Sequence, residues 1–209
     1  TLLRVSHLHQ GPISKELQKD ILNTLSSKLD NIDLFVFSDF NYGCLPQDLV
    51  DEIVKLIKLK KPGIMLVADS QSSSQIGDIS RFKNMNLITP TEHEARISTK
   101  NYEAGLVILS EEIKKQSSAM NVLLKLGEEG LLINSDNGTF LTDKIGALNS
   151  SPKDVSGAGD SLLITSALAL ACGGTIWEAA FLGSLAASIQ VGRVGNTPLT
   201  SKELQKNLN

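Results

Sequence analysis

Asp33-Leu34-Phe35-Val36-Phe37-Ser38-Asp39 and Gly63-Ile64-Met65-Leu66-Val67-Ala68-Asp69 flank one amphipathic run, and the reading of residues 33–69 decides the fold. Each flank is a short apolar run, the mark of a strand buried on both faces. Between them Leu49, Val50, Ile53, Val54 and Ile57 recur at helical spacing behind Pro46, which a first helical turn tolerates. Strand, helix, strand predicts a parallel α/β sheet with right-handed crossovers. Both strands finish at an Asp. In such sheets ligands gather beyond the C-terminal strand ends, so Asp39 and Asp69 either face a ligand or cap a local turn.

Upstream, Leu17, Ile21, Leu22, Leu25 and Leu29 share one face of a helix over 14–29, with Ser14 as its N-cap. Residues 2–5 read as a strand. A domain rarely opens inside one, so the chain is expected to be a fragment lacking its N-terminal part. Downstream, 86–88 is a third strand, closed by Thr89-Pro90, and Thr91-Glu92-His93-Glu94-Ala95 opens a helix. A helix over 102–117, a strand over 121–126 and the turn Gly127-Glu128-Glu129-Gly130 follow. Residues 131–133 and 139–141 are expected to pair around Asp136-Asn137-Gly138, a hairpin signal. The apolar helix over 162–172 is too short to span a bilayer. Thr175 caps a helix rich in small residues: Ala179, Ala180, Gly183, Ala186 and Ala187. Such residues admit either a neighbouring helix or a flat purine. Ser201 caps a last helix. No repeat or composition shift divides residues 1–209, which read as a single domain.

The 209 residues suffice for one sizeable core. A net charge of −3 and 4% aromatics argue against nucleic acid or an anionic membrane as partner. Cys44 and Cys172 are far apart without metal-ligand spacing. They fit a reducing compartment, so a cytoplasmic protein is expected.

The chemistry-bearing stretch is Asp154-Val155-Ser156-Gly157-Ala158-Gly159-Asp160. It reads as a tight turn into the long apolar helix. A first helical turn leaves backbone N–H groups unpaired, and the peptide dipoles add positive charge there. Gly157 and Gly159 let an anion approach the backbone. Asp160 beside that anion could take a proton. Anion hole plus carboxylate suits phosphoryl transfer to a hydroxyl. The plain alternative is a glycine loop before a core helix, with Asp160 as a cap.

Three signals occur in one order: Thr89-Pro90-x-x-x-Glu94-Ala95, Leu126-Gly127-x-x-Gly130 and Asp154-x-x-Gly157-Ala158-Gly159-Asp160. Together they resemble the PfkB, or ribokinase-like, carbohydrate kinases over essentially the whole chain, as the C-terminal two-thirds of such a kinase. A more particular likeness joins Thr1-Leu2-Leu3-Arg4-Val5, Ser38-Asp39-Phe40-x-x-Gly43-x-Leu45 and Ala186-Ala187-Ser188-x-x-Val191-Gly192-x-x-Gly195-x-x-x-Leu199-Thr200. These look like the kinase domain of bacterial heptose-7-phosphate kinases, which serve ADP-heptose synthesis.

The resemblance implies a ribokinase-like three-layer sandwich with a mostly parallel sheet, its N-terminal part missing. It implies ATP and Mg2+, with K+ as a monovalent cation, a sugar or sugar-phosphate substrate, and leaves a homodimer open. Asp160 would be the base, and Gly157, Ala158 and Gly159 the anion hole. Lys125 and Gly127 would lie near the nucleotide, with the purine by Gly183, Ser184 and Ala187. Glu94 would help place Mg2+. Asp154 and Ser156, with backbone near Gly195, match the monovalent-cation loop, and Asp39 would face the sugar. The chain departs from the family at four of its positions, mildly at Ser156, which replaces a Thr. Thr91 replaces an Asn, Tyr42 a Lys, and Lys125 a common Thr. Thr91 and Tyr42 keep a second reading open, a catalytically weak nucleotide-binding or regulatory module derived from such a kinase.

Overall fold

Ser14 accepts a hydrogen bond from Leu17 N at 3.2 Å and so starts the first helix, α1 (Lys15–Lys28), as its spacing predicts. The computed structural model describes residues 11–72, 77–136 and 140–208. The strand expected at residues 2–5 lies outside them. Six strands follow: β1 (Leu34–Asp39), β2 (Met65–Ser70), β3 (Leu87–Ile88), β4 (Asn121–Lys125), β5 (Leu131–Ser135) and β6 (Thr142–Ile145). They lie in one sheet in sequence order. β1 to β4 are parallel, and β5 and β6 are antiparallel additions. The crossovers run through α2 (Gln47–Lys60) and the pair α3 (Glu92–Thr99) and α4 (Leu106–Ser117). Parallel pairing therefore brings Asp39, Asp69 and Lys125 to one edge of the sheet.

Strand side chains alternate between two cores, which makes three layers. Leu66 and Ala68 of β2 and Val122 and Leu124 of β4 join Leu25 of α1, Leu49, Val50, Ile53 and Ile57 of α2, and Leu109 and Ile113 of α4. Val67 and Leu123 point the other way, toward Leu162, Leu163 and Ala167 of α5 (Ala158–Ala171) and Ile176 and Ala180 of α6 (Ile176–Val191). Each buried leucine or isoleucine contributes about 1.5–3 kcal/mol. Phe37 and Phe82 pack at a tilt in the first core with centroids 5.3 Å apart.

Local signals place most helix ends. Thr175 caps α6 with Glu178 in a capping box. Three expectations move. α4 begins at Leu106 behind Gly105, so 102–105 is loop. Thr200, not Ser201, caps α7 (Ser201–Lys206), because Glu203 reaches back to its amide at 2.8 Å. The hairpin partner of β5 is 142–145 rather than 139–141. Its register is set at the other end, where Gly130 passes so close to Ile145 that a Cβ would lie 2.0 Å from its carbonyl oxygen. Residues 137–139 of the expected turn lie outside the described residues. Phe140 and Leu141 are exposed.

Candidate active site

The glycine loop is built around Gly157, whose φ of +77° no L side chain adopts cheaply. A Cβ there would also lie 2.2 Å from Asn196 Oδ1. Beyond it α5 begins. Ala158 N is spent on Val155 O, and Ser161 N bonds Gly157 O. Among the described residues no partner takes the amides of Gly157, Gly159 and Asp160. Of the amides expected to face an anion, those of Gly157 and Gly159 are thus free, joined by that of Asp160, whereas the Ala158 amide is already bonded. The half-buried Asp160 carboxylate stands in the same first turn, with no side-chain hydrogen bond among the described residues.

The loop is held from behind. Lys153 N and Asp154 N donate to Val191 O at the end of α6. Asp154 Oδ1 accepts from Ser156 N (2.9 Å) and Ser156 Oγ (2.7 Å), and Oδ2 accepts from Gly195 N (3.0 Å). The Ser156 hydroxyl, then the Ser156 and Gly195 amides, hold the Asp154 carboxyl below its usual range.

Lys125, at the end of β4, faces the loop. Its Nζ lies 3.5 Å from where a Gly159 Cβ would stand. The same ammonium donates to Asp69 Oδ1 (3.0 Å) and Oδ2 (3.1 Å), at the end of β2. Asp69 is 3% exposed and Lys125 14%. Burial raises the Asp69 pKa. Lys125 opposes that shift, and the nearby Glu94 charge reinforces it. The buried Thr89 hydroxyl sits by this carboxylate and favours its charged form. An ammonium has three donors. Two reach Asp69, so one is left without a partner among the described residues, on the side of Gly159.

Glu94 is buried and spoken for. Its Oε2 accepts from Thr91 N (2.7 Å) and its Oε1 from Ser72 N (3.1 Å). Thr91 caps α3 in return, a box legible in Thr91-x-x-Glu94. Asp39 is equally engaged: Arg81 Nη2 donates to Oδ2 at 2.6 Å, and Asn41 N to Oδ1 at 3.0 Å. No trio of His, Cys, Asp or Glu among the described residues gathers to hold a metal. The set fits Mg2+ that arrives on nucleotide phosphates and keeps its waters, rather than a resident ion in a protein cage.

Gly183 is buried in the seam between α5 and α6, where a Cβ would lie 2.1 Å from Ser166 Oγ and 3.0 Å from Leu162 O. It serves helix approach. Ser184 and Ala187 are half-buried beside it, and Gly127 is exposed with open space around it. A groove of about 820 Å3 lies elsewhere, lined by Thr99–Glu103 and α4 residues Glu112, Lys115 and Gln116. It borders none of these groups. Reading the sequence missed Arg81 as the partner of Asp39 and the Asp69–Lys125 pair. It also missed Gln190, whose Nε2 donates to the carbonyls of Ser156 and Gly195 and whose signal was a lone amide in a helix of small and apolar residues.

The pfkB family carbohydrate kinase model matches residues 7–203. The chain is 28% identical over 208 residues to the bifunctional protein HldE of Sulfurimonas denitrificans, covering 98% of this chain and 42% of that protein. It is 26% identical to HldE of Wolinella succinogenes, with 99% and 42% covered. The chain thus spans under half the length of these relatives. Among solved structures, Escherichia coli phosphofructokinase-2 in complex with potassium superposes with a TM-score of 0.73 at 19% identity, over 90% of this chain and 61% of that one. Arabidopsis thaliana ribokinase with ribose and ATP gives 0.71 at 20%, over 94% and 60%. These likenesses show the ribokinase-like fold. With the family match extending over nearly all of its length, the chain belongs to the pfkB family of carbohydrate kinases.

Proposed function

We propose that this chain supplies the nucleotide-binding and phosphoryl-transferring part of an ATP-dependent sugar kinase acting on a hydroxyl of a sugar phosphate, heptose 7-phosphate being the foremost candidate. The observation that carries it is the set of unpartnered amides at Gly157, Gly159 and Asp160, beside the Asp160 carboxylate and facing the Lys125 ammonium. The HldE likeness over the whole chain supports the heptose acceptor.

In this reading an Asp160 carboxylate oxygen accepts the proton of the acceptor hydroxyl. The hydroxyl oxygen forms a bond to the γ-phosphorus as the bond from that phosphorus to the β-phosphate bridging oxygen breaks, and ADP leaves. The three amides and Lys125 stabilise charge on the equatorial oxygens, which such a loose transition state needs most. Mg2+ carried by the phosphates would neutralise the tail, with Glu94 reaching it through water. Ser184 and Ala187 offer the small-residue surface for the purine. Asp39, engaged by Arg81, would act on the sugar side by shaping the loop 40–43.

The test is sugar-dependent ADP release by the full-length protein over a panel of sugars and sugar phosphates. Asp160→Asn should lower kcat by about 10²–10⁴-fold while MgATP still binds. The engagement of both Glu94 oxygens by amides favours the second reading, a catalytically weak nucleotide-binding module. MgATP binding without sugar-dependent ADP release selects it.

A further inference from the structure

Gln190, near the C-terminal end of α6, is 1% exposed. Arg193 donates to its Oε1 from Nε (3.1 Å) and Nη2 (2.6 Å). A guanidinium only donates, so the atom facing it is the amide oxygen. Arg193 is itself anchored to α7 through Nη1 to Glu203 Oε1 at 3.0 Å. The amide NH2 must then face the other way. There Nε2 donates to Ser156 O (3.1 Å) and Gly195 O (3.3 Å). Both of its hydrogens are placed.

These carbonyls belong to the residues that the monovalent-cation reading invokes, and the third, Asp154, is filled by the Ser156 and Gly195 donors. A bound cation draws oxygens inward; an NH2 group does the same for two of them through its hydrogens. A cation placed between these carbonyls would also meet the positive end of the Nε2 dipole. Residues expected to hold K+ do not fit it while Gln190 is in place. We propose that the Gln190 side-chain amide takes the part of the monovalent cation in this protein, tying the glycine loop to the loop at Gly195, so that the site is assembled without bound K+. Only the activity arm of the test rests on the kinase reading.

The experiment compares the full-length protein in potassium, sodium and tetramethylammonium chloride at equal ionic strength. Wild type should melt at the same temperature in all three, because a ligand stabilises only what it binds. Its sugar-dependent ADP release should vary by less than about twofold, since Debye screening is matched. Gln190→Ala leaves both carbonyls facing a gap. It should melt lower in tetramethylammonium and be raised selectively by potassium. A wild-type melting temperature or rate that rises specifically with potassium overturns the proposal. So does a Gln190→Ala variant as stable as wild type without potassium. If that variant does not fold, the wild-type comparison decides alone. Absence of kinase activity with every sugar would sink the functional reading and leave the melting comparison intact.

Discussion

Replacing Lys125 with Met leaves Asp69 buried and unpaired. Breaking a buried pair from one side costs about 3–5 kcal/mol. The carboxyl has an escape, since it can take a proton. Against an unfolded value of about 3.9, that costs at most about 4.2 kcal/mol at pH 7 and about 1.5 kcal/mol at pH 5. The lysine's own desolvation is recovered, so a net loss of about 2–4 kcal/mol at pH 7 is expected. The sign follows from Asp69, whose folded pKa is already raised by burial despite Lys125. A raised carboxyl contributes stability that is full below its unfolded pKa and is lost as pH rises through the folded one. Removing Lys125 lifts the folded value further, so the variant's deficit should shrink on acidification from pH 7 to pH 5. Urea unfolding followed through Trp177, the chain's one tryptophan, measures it at both pH values. Asp69→Asn with Lys125→Met, which leaves no lone charge, should recover most of the loss. A deficit below about 0.5 kcal/mol at pH 7, or one that widens at pH 5, would refute a buried, coupled pair.

Gly183→Ala drives a methyl into Ser166 Oγ and the Leu162 carbonyl and disturbs the Ser166-to-Ala179 hydrogen bond of 2.9 Å. Overpacking of about 1–3 kcal/mol should outweigh the helix-propensity gain of about 1 kcal/mol, lowering the urea midpoint. Gly157→Ala meets both a left-handed φ and Asn196. A loss of about 1–2 kcal/mol should come with weaker MgADP binding by calorimetry, whereas unchanged binding would remove the loop from the phosphate site. Thr91→Ala removes the α3 cap at a cost of about 0.5–2 kcal/mol, read as a lower melting temperature.

Much of the fold was legible locally. Continuous apolar runs at 34–37 and 64–68 became β1 and β2, of which β2 is buried while β1, at the edge of the described sheet, keeps Leu34, Phe35 and Val36 only half-buried, and helical spacing found the inner face of α2, because burial on a regular backbone imprints a period on the sequence. Ser14 and Thr175 were readable because a cap bonds within three residues. The turn into α5 was readable for the same reason: it is set by the backbone of Gly157 and the first helical turn that follows it.

The partnerships were not readable, because they join residues brought together only by sheet order and helix packing. Asp69 and Lys125 are 56 positions apart and meet because β2 and β4 end at the same edge. Asp39 and Arg81 are separated by 42 positions, Ser156 and Gln190 by 34. The small-residue helix left two readings open, and the approach of α5 turned Gly183 into packing. The sequence by itself determined most of the strands and helices and the glycine turn into α5, since each depends on neighbours along the chain. Tertiary structure decided which charges are buried together and which group closes the glycine loop, since those energies depend on what lies across the fold.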